Sequence, residues 1–237
     1  MKYLIYNWKA SLPESLDQWV SAVKKAQEKV GVSDTFCIAP PFSHIDALEK
    51  EASLQGLSYQ KGAQDVSAFS KGAYTGDIPA SLLKERGVVY VLVGHAERRR
   101  LHGESTEIVG KKVVEAQKEG LIPIVCVGEE NIDDDLTPHI NEAVSFVKKG
   151  VSMIAYEPQW AIGGSVVLDL SKIEERITLF REKLDGVGKE YVLLYGGSVS
   201  EDILSQLLCY TGIDGFLVGS ASVDIKQSNT IYTSIYG

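Results

Sequence analysis

Residues 151–164 read Val-Ser-Met-Ile-Ala-Tyr-Glu-Pro-Gln-Trp-Ala-Ile-Gly-Gly. The run from Val151 to Tyr156 is short and mostly apolar, the pattern of a strand buried on both faces. Pro158 fixes its own φ and biases Glu157 away from the helical region. Trp160, Ala161 and Ile162 make an apolar loop segment, and Gly163-Gly164 gives the backbone freedom at its far end. One carboxylate, Glu157, therefore stands at a strand exit under a segment able to close over it. Shielding from water suits a carboxylate to proton abstraction. These residues alone are equally compatible with an ordinary surface glutamate on a strand-to-helix loop.

Outward from this stretch, strand-like and helix-like patterns alternate along the chain. Apolar runs at 3–7, 35–39, 58–64, 88–93, 121–127, 191–195 and 213–218 join 151–156 as expected strands. Amphipathic segments at 14–30, 43–54, 104–119, 139–149, 171–186 and 200–210 separate them. Ser200-Glu201-Asp202 and Asp169-Leu170-Ser171 carry helix-start chemistry, while Gly31 and Gly120 sit where helices should stop. No linker or charge shift divides the chain, so residues 1–237 are expected to form a single domain. Strand–helix alternation alone also allows a doubly wound sheet. Eight such units in 237 residues favour a single (β/α)8 barrel with a parallel eight-stranded core, which typically needs about 250 residues.

Composition narrows the function. A net charge of −8 argues against nonspecific nucleic-acid binding, which needs a basic face. Any anionic ligand must be held by local donors against that overall field. The three cysteines, Cys37, Cys126 and Cys209, are scattered singly; two lie in strand-like runs, so buried free thiols in a reducing compartment are expected. No metal-ligand spacing, signal peptide or membrane-length apolar run appears, and a soluble cytoplasmic protein is expected.

In a barrel, chemistry collects at the C-terminal ends of the strands. Those ends carry Asn7-Trp8-Lys9, Gly94-His95-Ala96-Glu97-Arg98, Tyr156-Glu157-Pro158, Tyr195-Gly196-Gly197-Ser198 and Val218-Gly219-Ser220. Each has a bland counterpart: Lys9 as a solvated lysine, His95 as a structural histidine, Arg99 and Arg100 as a charged helix face, the glycines as simple turns. Together, a cation, a neutral donor and a carboxylate make a proton-transfer site beside a carbonyl. The loops after the last two strands of a barrel often bind phosphate through backbone N–H groups, with Gly163, Ser198, Gly219 and Ser220 as candidate donors. Neither a dinucleotide fingerprint nor a P-loop is present.

At this point an ordered set of motifs spans almost the whole chain. It comprises Asn7-Trp8-Lys9, Gly62-Ala63-Gln64-Asp65, Gly72-Ala73-Tyr74-Thr75-Gly76-Asp77, Gly94 to Arg99, Gly103-Glu104-Ser105, Cys126-Val127-Gly128-Glu129, Ala155 to Gly163, Tyr195 to Val199, and Gly215 to Gly219. In this set the chain resembles the triosephosphate isomerase family of TIM barrels. The resemblance implies interconversion of dihydroxyacetone phosphate and D-glyceraldehyde 3-phosphate without metal or organic cofactor. It implies Glu157 as the base, His95 as a neutral electrophile, and Lys9, aided by Asn7, as the stabiliser of developing negative charge. Glu97 would act in support, and a lid around 158–168 would close over the enediolate. This carboxylate–imidazole pairing and lid are the family's known pattern. The segment Gly72 to Asp77, with Tyr74 and Thr75, resembles a loop that reaches into a second subunit, so a homodimer is expected.

The chain departs from the family pattern at four places. Ala96 replaces a serine that holds the glutamate when the lid is open, so Glu157 is expected to be less firmly parked. Gly164, Val166, Val167 and Leu168 alter the closing half of the lid, with Gly164 widening and the β-branched pair stiffening its choices; Gln159 is uncommon in the opening hinge. Ser220 replaces a phosphate-site glycine and keeps its N–H if its φ suits a side chain. Residues 130–150 are short, so the fifth helix is expected to be truncated. These departures leave open a catalytically inactive, phosphate-binding barrel with a regulatory role. A barrel isomerase for another phosphorylated sugar is a further alternative, disfavoured by the small lidded site.

Overall fold

The computed structural model describes residues 2–33, 35–161, 169–199 and 201–237. Eight strands form a closed parallel sheet: β1 (Tyr3–Asn7), β2 (Phe36–Ala39), β3 (Gln60–Ala63), β4 (Tyr90–Val93), β5 (Ile122–Val127), β6 (Met153–Tyr156), β7 (Val192–Tyr195) and β8 (Gly215–Val218). Each pairs with the next in sequence, and β8 returns to β1 with Tyr6 opposite Val218. The doubly wound alternative is thereby excluded.

Successive residues of a strand point to opposite faces, and here both faces are buried. Ile5, Cys37, Leu92, Ile124, Cys126, Met153, Ala155, Leu194 and Leu217 fill the barrel. Their neighbours in sequence, among them Leu4, Tyr6, Val91, Val93, Val125, Ile154, Tyr156 and Tyr195, pack outward against the helices. That double burial is why the strands read as continuous apolar runs rather than alternations.

The helices are α1 (Leu16–Val30), α2 (Ile45–Gln55), α3 (Ala80–Glu85), α4 (Ala96–His102), α5 (Thr106–Lys118), α6 (Thr137–Lys148), α7 (Leu170–Asp185), α8 (Glu201–Cys209) and α9 (Ile225–Tyr236). Asp169 caps α7, its Oδ1 accepting the Lys172 N–H at 3.1 Å. Gly31 follows α1 with φ 98°. Ser200, expected to cap α8, lies outside the described residues. The helix of segment 130–150, α6, has 12 residues.

Candidate active site

Glu157 follows β6, where its N–H donates to Val127 O at 2.8 Å, and is 2% exposed. Its carboxylate accepts a backbone hydrogen bond and touches the imidazole. The backbone N–H of Ala96 reaches Oε2 at 3.1 Å, and His95 Nε2 lies 3.1 Å from Oε1. Alanine brings no side-chain hydroxyl to Glu157, and the donor that position 96 supplies is its backbone N–H. A lost side-chain hydroxyl does not remove the backbone donor, which belongs to the first turn of α4, where N–H groups lack intrahelical partners.

The same turn orients the imidazole. His95 caps α4, and the Glu97 N–H donates to its Nδ1 at 3.3 Å. With Nδ1 an acceptor, a neutral ring carries its proton on Nε2, the nitrogen facing Glu157. Burial and then the adjacent Glu157 push the Cys126 thiol well above its usual range, keeping it uncharged beside that carboxylate.

Lys9 is anchored from both ends. Its N–H donates to Asn7 Oδ1 at 2.9 Å, and its Nζ to Glu97 Oε1 at 2.8 Å. Burial raises the Glu97 carboxyl, but the Lys9 hydrogen bond and charge outweigh it and leave the pKa below the ordinary value. Lys9 is the one non-glycine among the described residues with positive φ, 53°. Such a backbone costs about 1–3 kcal/mol and persists where the surroundings over-determine it. Lys9 is thus no freely solvated lysine.

These groups share one cavity of about 430 Å³, lined by Asn7, Lys9, His95, Glu157, Ser198, Gly219, Ser220 and Gln227. Two glycines give the charged side chains room. A Cβ on Gly196 would stand 2.9 Å from Glu157 Cγ, and one on Gly219 would stand 2.9 Å from Lys9 Cε. Ser220 opens a short 3₁₀ turn and has no positive φ, so the condition for keeping its N–H as a donor is met. The Ser198 N–H instead donates to Ala161 O at 3.1 Å, leaving its hydroxyl as the available group. Gly163, Gly164 and Val166 to Leu168, with Ile162 and Ser165, lie outside the described residues.

Two clusters, one buried and one partly buried, brace the site without a role assigned from the sequence. Under the start of the lid segment, Glu129 Oε1 accepts from Tyr156 OH and Trp160 Nε1, both at 2.8 Å, and Glu129 is fully buried. Beside α4, Lys112 Nζ donates to Asp65 Oδ1 at 2.5 Å and Glu104 Oε1 at 2.6 Å, while Arg98 Nε donates to Glu104 Oε1 at 2.7 Å. Burial raises the Asp65 carboxyl despite Lys112; in Glu104 burial is outweighed by the Lys112 and Arg98 bonds, and its pKa falls. Arg99, read as a charged helix face, instead donates to Gly94 O at 2.7 Å, Cys126 O at 3.1 Å and Glu142 at 2.8 Å, tying α4 to β5 and α6. Gln64, Asp65, Glu104 and Glu129 lie in the quoted motifs, which was their only signal. Among the described residues no cluster of His, Cys, Asp or Glu is placed to hold a metal ion.

A closed (β/α)8 barrel with a carboxylate, an imidazole and an ammonium group converging at its C-terminal mouth defines a barrel enzyme of the proton-transfer class. A family model described as triosephosphate isomerase matches residues 2–235. Curated proteins named triosephosphate isomerase are similar to this chain along nearly its full length. That of Nitrosococcus oceani is 35% identical, with 96% of each chain covered. That of Polynucleobacter asymbioticus is 39% identical, covering 93% of this chain and 94% of its own, and that of a Thermoanaerobacter species is 39% identical with 92% of each covered. The chain belongs to the triosephosphate isomerase family.

Proposed function

We propose that this chain interconverts dihydroxyacetone phosphate and D-glyceraldehyde 3-phosphate. The observation that carries the reading is the contact of Glu157 and His95 at 3.1 Å in the cavity that Lys9 also lines. Glu157 removes a proton from C1 of the ketose, and the electron pair moves toward the C2 carbonyl oxygen. The Nε2–H of His95 hydrogen-bonds that oxygen as it gains charge, and the Lys9 ammonium stabilises the enediolate. The His95 Nε2–H gives its proton to the C2 oxygen and the ring takes the C1 hydroxyl proton in exchange, so Glu157 returning its proton to C2 leaves an aldehyde at C1 and a hydroxyl at C2; the reverse reaction runs the same steps backward. Asn7 and Glu97 hold Lys9, and Ser198, Gly219 and Ser220 with the lid's Gly163 receive the phosphate. No organic cofactor or metal enters this scheme.

The working unit is proposed to be a homodimer of single-domain protomers. Residues 71–77, including Tyr74 and Thr75, are exposed, with Tyr74 stacked on Phe69 at 4.3 Å. Phe42, Phe69 and Tyr74 are 40%, 46% and 45% exposed, large apolar groups suited to cover by a second copy. Three free cysteines and the absence of a membrane-crossing helix among the described residues support a cytoplasmic location. The catalytically inactive alternative has no support in a cavity that holds Lys9, His95 and Glu157 together. A coupled assay in both directions tests the function. Wild type should turn over both triose phosphates and Glu157→Gln should lose about a thousandfold or more in kcat; wild type inactive at saturating substrate overturns it.

A further inference from the structure

The phosphate end of the cavity is short of charge. Among the described residues Lys9 is the single cation lining it, and its ammonium is already paired with Glu97. Glu157 adds a negative charge, and the Ser198 N–H is committed to Ala161. A phosphate dianion must therefore draw on neutral donors.

Gln227 is such a donor and lines this cavity beside Ser220 and Ala221. It occupies the third position of α9, whose cap is Asp224; Asp224 Oδ1 accepts the Gln227 N–H at 2.8 Å. The spacing Asp224-Ile225-Lys226-Gln227 matches a capping box, in which the glutamine side chain would reach back to the cap's own N–H. The structure makes only the forward half of that box. The Gln227 carboxamide is exposed and has no hydrogen-bond partner among the described residues. Local helix capping does not account for it. Its NH2 group is left for an acceptor in the cavity.

We infer that Gln227 is a substrate-binding residue whose carboxamide donates to a phosphoryl oxygen from the α9 side. The inference rests on the isomerase reading and adds a phosphate ligand contributed by α9, beyond the loop donors. A neutral donor suits the place: it supplies a hydrogen bond without a second cation that would compete with Lys9 for Glu97.

The test uses Gln227→Leu, which keeps size and removes the amide, and Gln227→Glu, which keeps shape and adds a negative charge. The KM of both triose phosphates and the inhibition constant of inorganic phosphate should rise together about tenfold in Gln227→Leu, the lower end for a hydrogen bond to a charged group. They should rise further in Gln227→Glu. kcat should stay within about twofold, and kcat/KM for unphosphorylated glyceraldehyde should not change. Phosphate binding measured by calorimetry reads the same contact without turnover. Weaker phosphate binding in both variants therefore supports the inference even if the wild type failed to isomerise triose phosphates. Unchanged phosphate binding in Gln227→Leu overturns it, as does an equal loss on glyceraldehyde, which would mark a general structural effect.

Discussion

Replacing Gly196 by alanine tests the geometry of the base without touching its chemistry. Gly196 has no positive φ, so alanine meets no left-handed backbone strain there. Its Cβ would stand 2.9 Å from Glu157 Cγ, and an ordinary contact begins at 3.4 Å, a difference of 0.5 Å that the side chain must absorb. Glu157 has little freedom to do so, being 2% exposed, hydrogen-bonded by the Ala96 N–H at 3.1 Å and packed against His95 Nε2 at 3.1 Å. A shift of about half an ångström away from these groups stretches both contacts beyond hydrogen-bond range. Since about 1 Å of misplacement costs on the order of a hundredfold in rate, kcat in both directions should fall about tenfold, or about 1.4 kcal/mol of barrier. The fold should survive, with a stability loss of about 1–3 kcal/mol for the overpacking. Steady-state coupled assays, thermal unfolding and a crystal structure of the variant together decide the matter. A kcat within twofold of wild type, with Glu157 unmoved, would refute the reasoning.

Other outcomes follow from the braces around the site. Lys112→Met should destabilise the protein by about 1–3 kcal/mol in denaturant unfolding, because the buried Glu104 loses one of its charged donors and is left with Arg98, which also pairs with the partly exposed Asp65. Glu104→Gln should show a stability deficit at neutral pH that shrinks in acid. The folded carboxyl titrates below its ordinary 4.5, so its contribution is present above that pH and is lost as pH falls through the lowered value. Asp65, shifted upward, contributes with the opposite sign and should blunt the wild-type profile, which is why the comparison with the variant is the informative one. Trp160→Phe removes one donor to the fully buried Glu129 and should cost about 1–2 kcal/mol, with faster hydrogen exchange at 157–161.

Strand placement was legible because double burial writes itself into sequence as apolar runs. The run 3–7 coincides with β1, and 121–127 and 191–195 each overshoot a strand by one residue. The helices α3 and α9 leave no clear periodic signal, and α4 shows only as a charged helix face at Arg99 and Arg100, for identifiable reasons. α3 and α4 are 6 and 7 residues long, too short to show a period. α9 is rich in Ser, Thr, Asn and Ile, which favour other local structures; tertiary packing overrides them, with Tyr232 fully buried against Phe36 at 4.9 Å. At the site, Lys9, His95 and Glu157 were legible as reactive groups at separate strand exits. The donor that holds Glu157 was not, because a backbone N–H at a helix start looks the same whatever residue bears it. The Asp65–Lys112 pair spans 47 residues and leaves no local trace. Gln227 reads in sequence as a capping residue, and only the missing half of its capping box releases it to the cavity.

The central claim is that Glu157 carries the proton between the two carbons of the substrate. The most direct measurement follows dihydroxyacetone phosphate turnover in deuterium oxide by NMR, for the wild type and for Glu157→Asp. The account predicts product deuterated at C2 by the wild type, and the same product from Glu157→Asp at a rate lower by about two orders of magnitude, since the base is drawn back by one methylene. Glu157→Asp at the wild-type rate would contradict the claim outright.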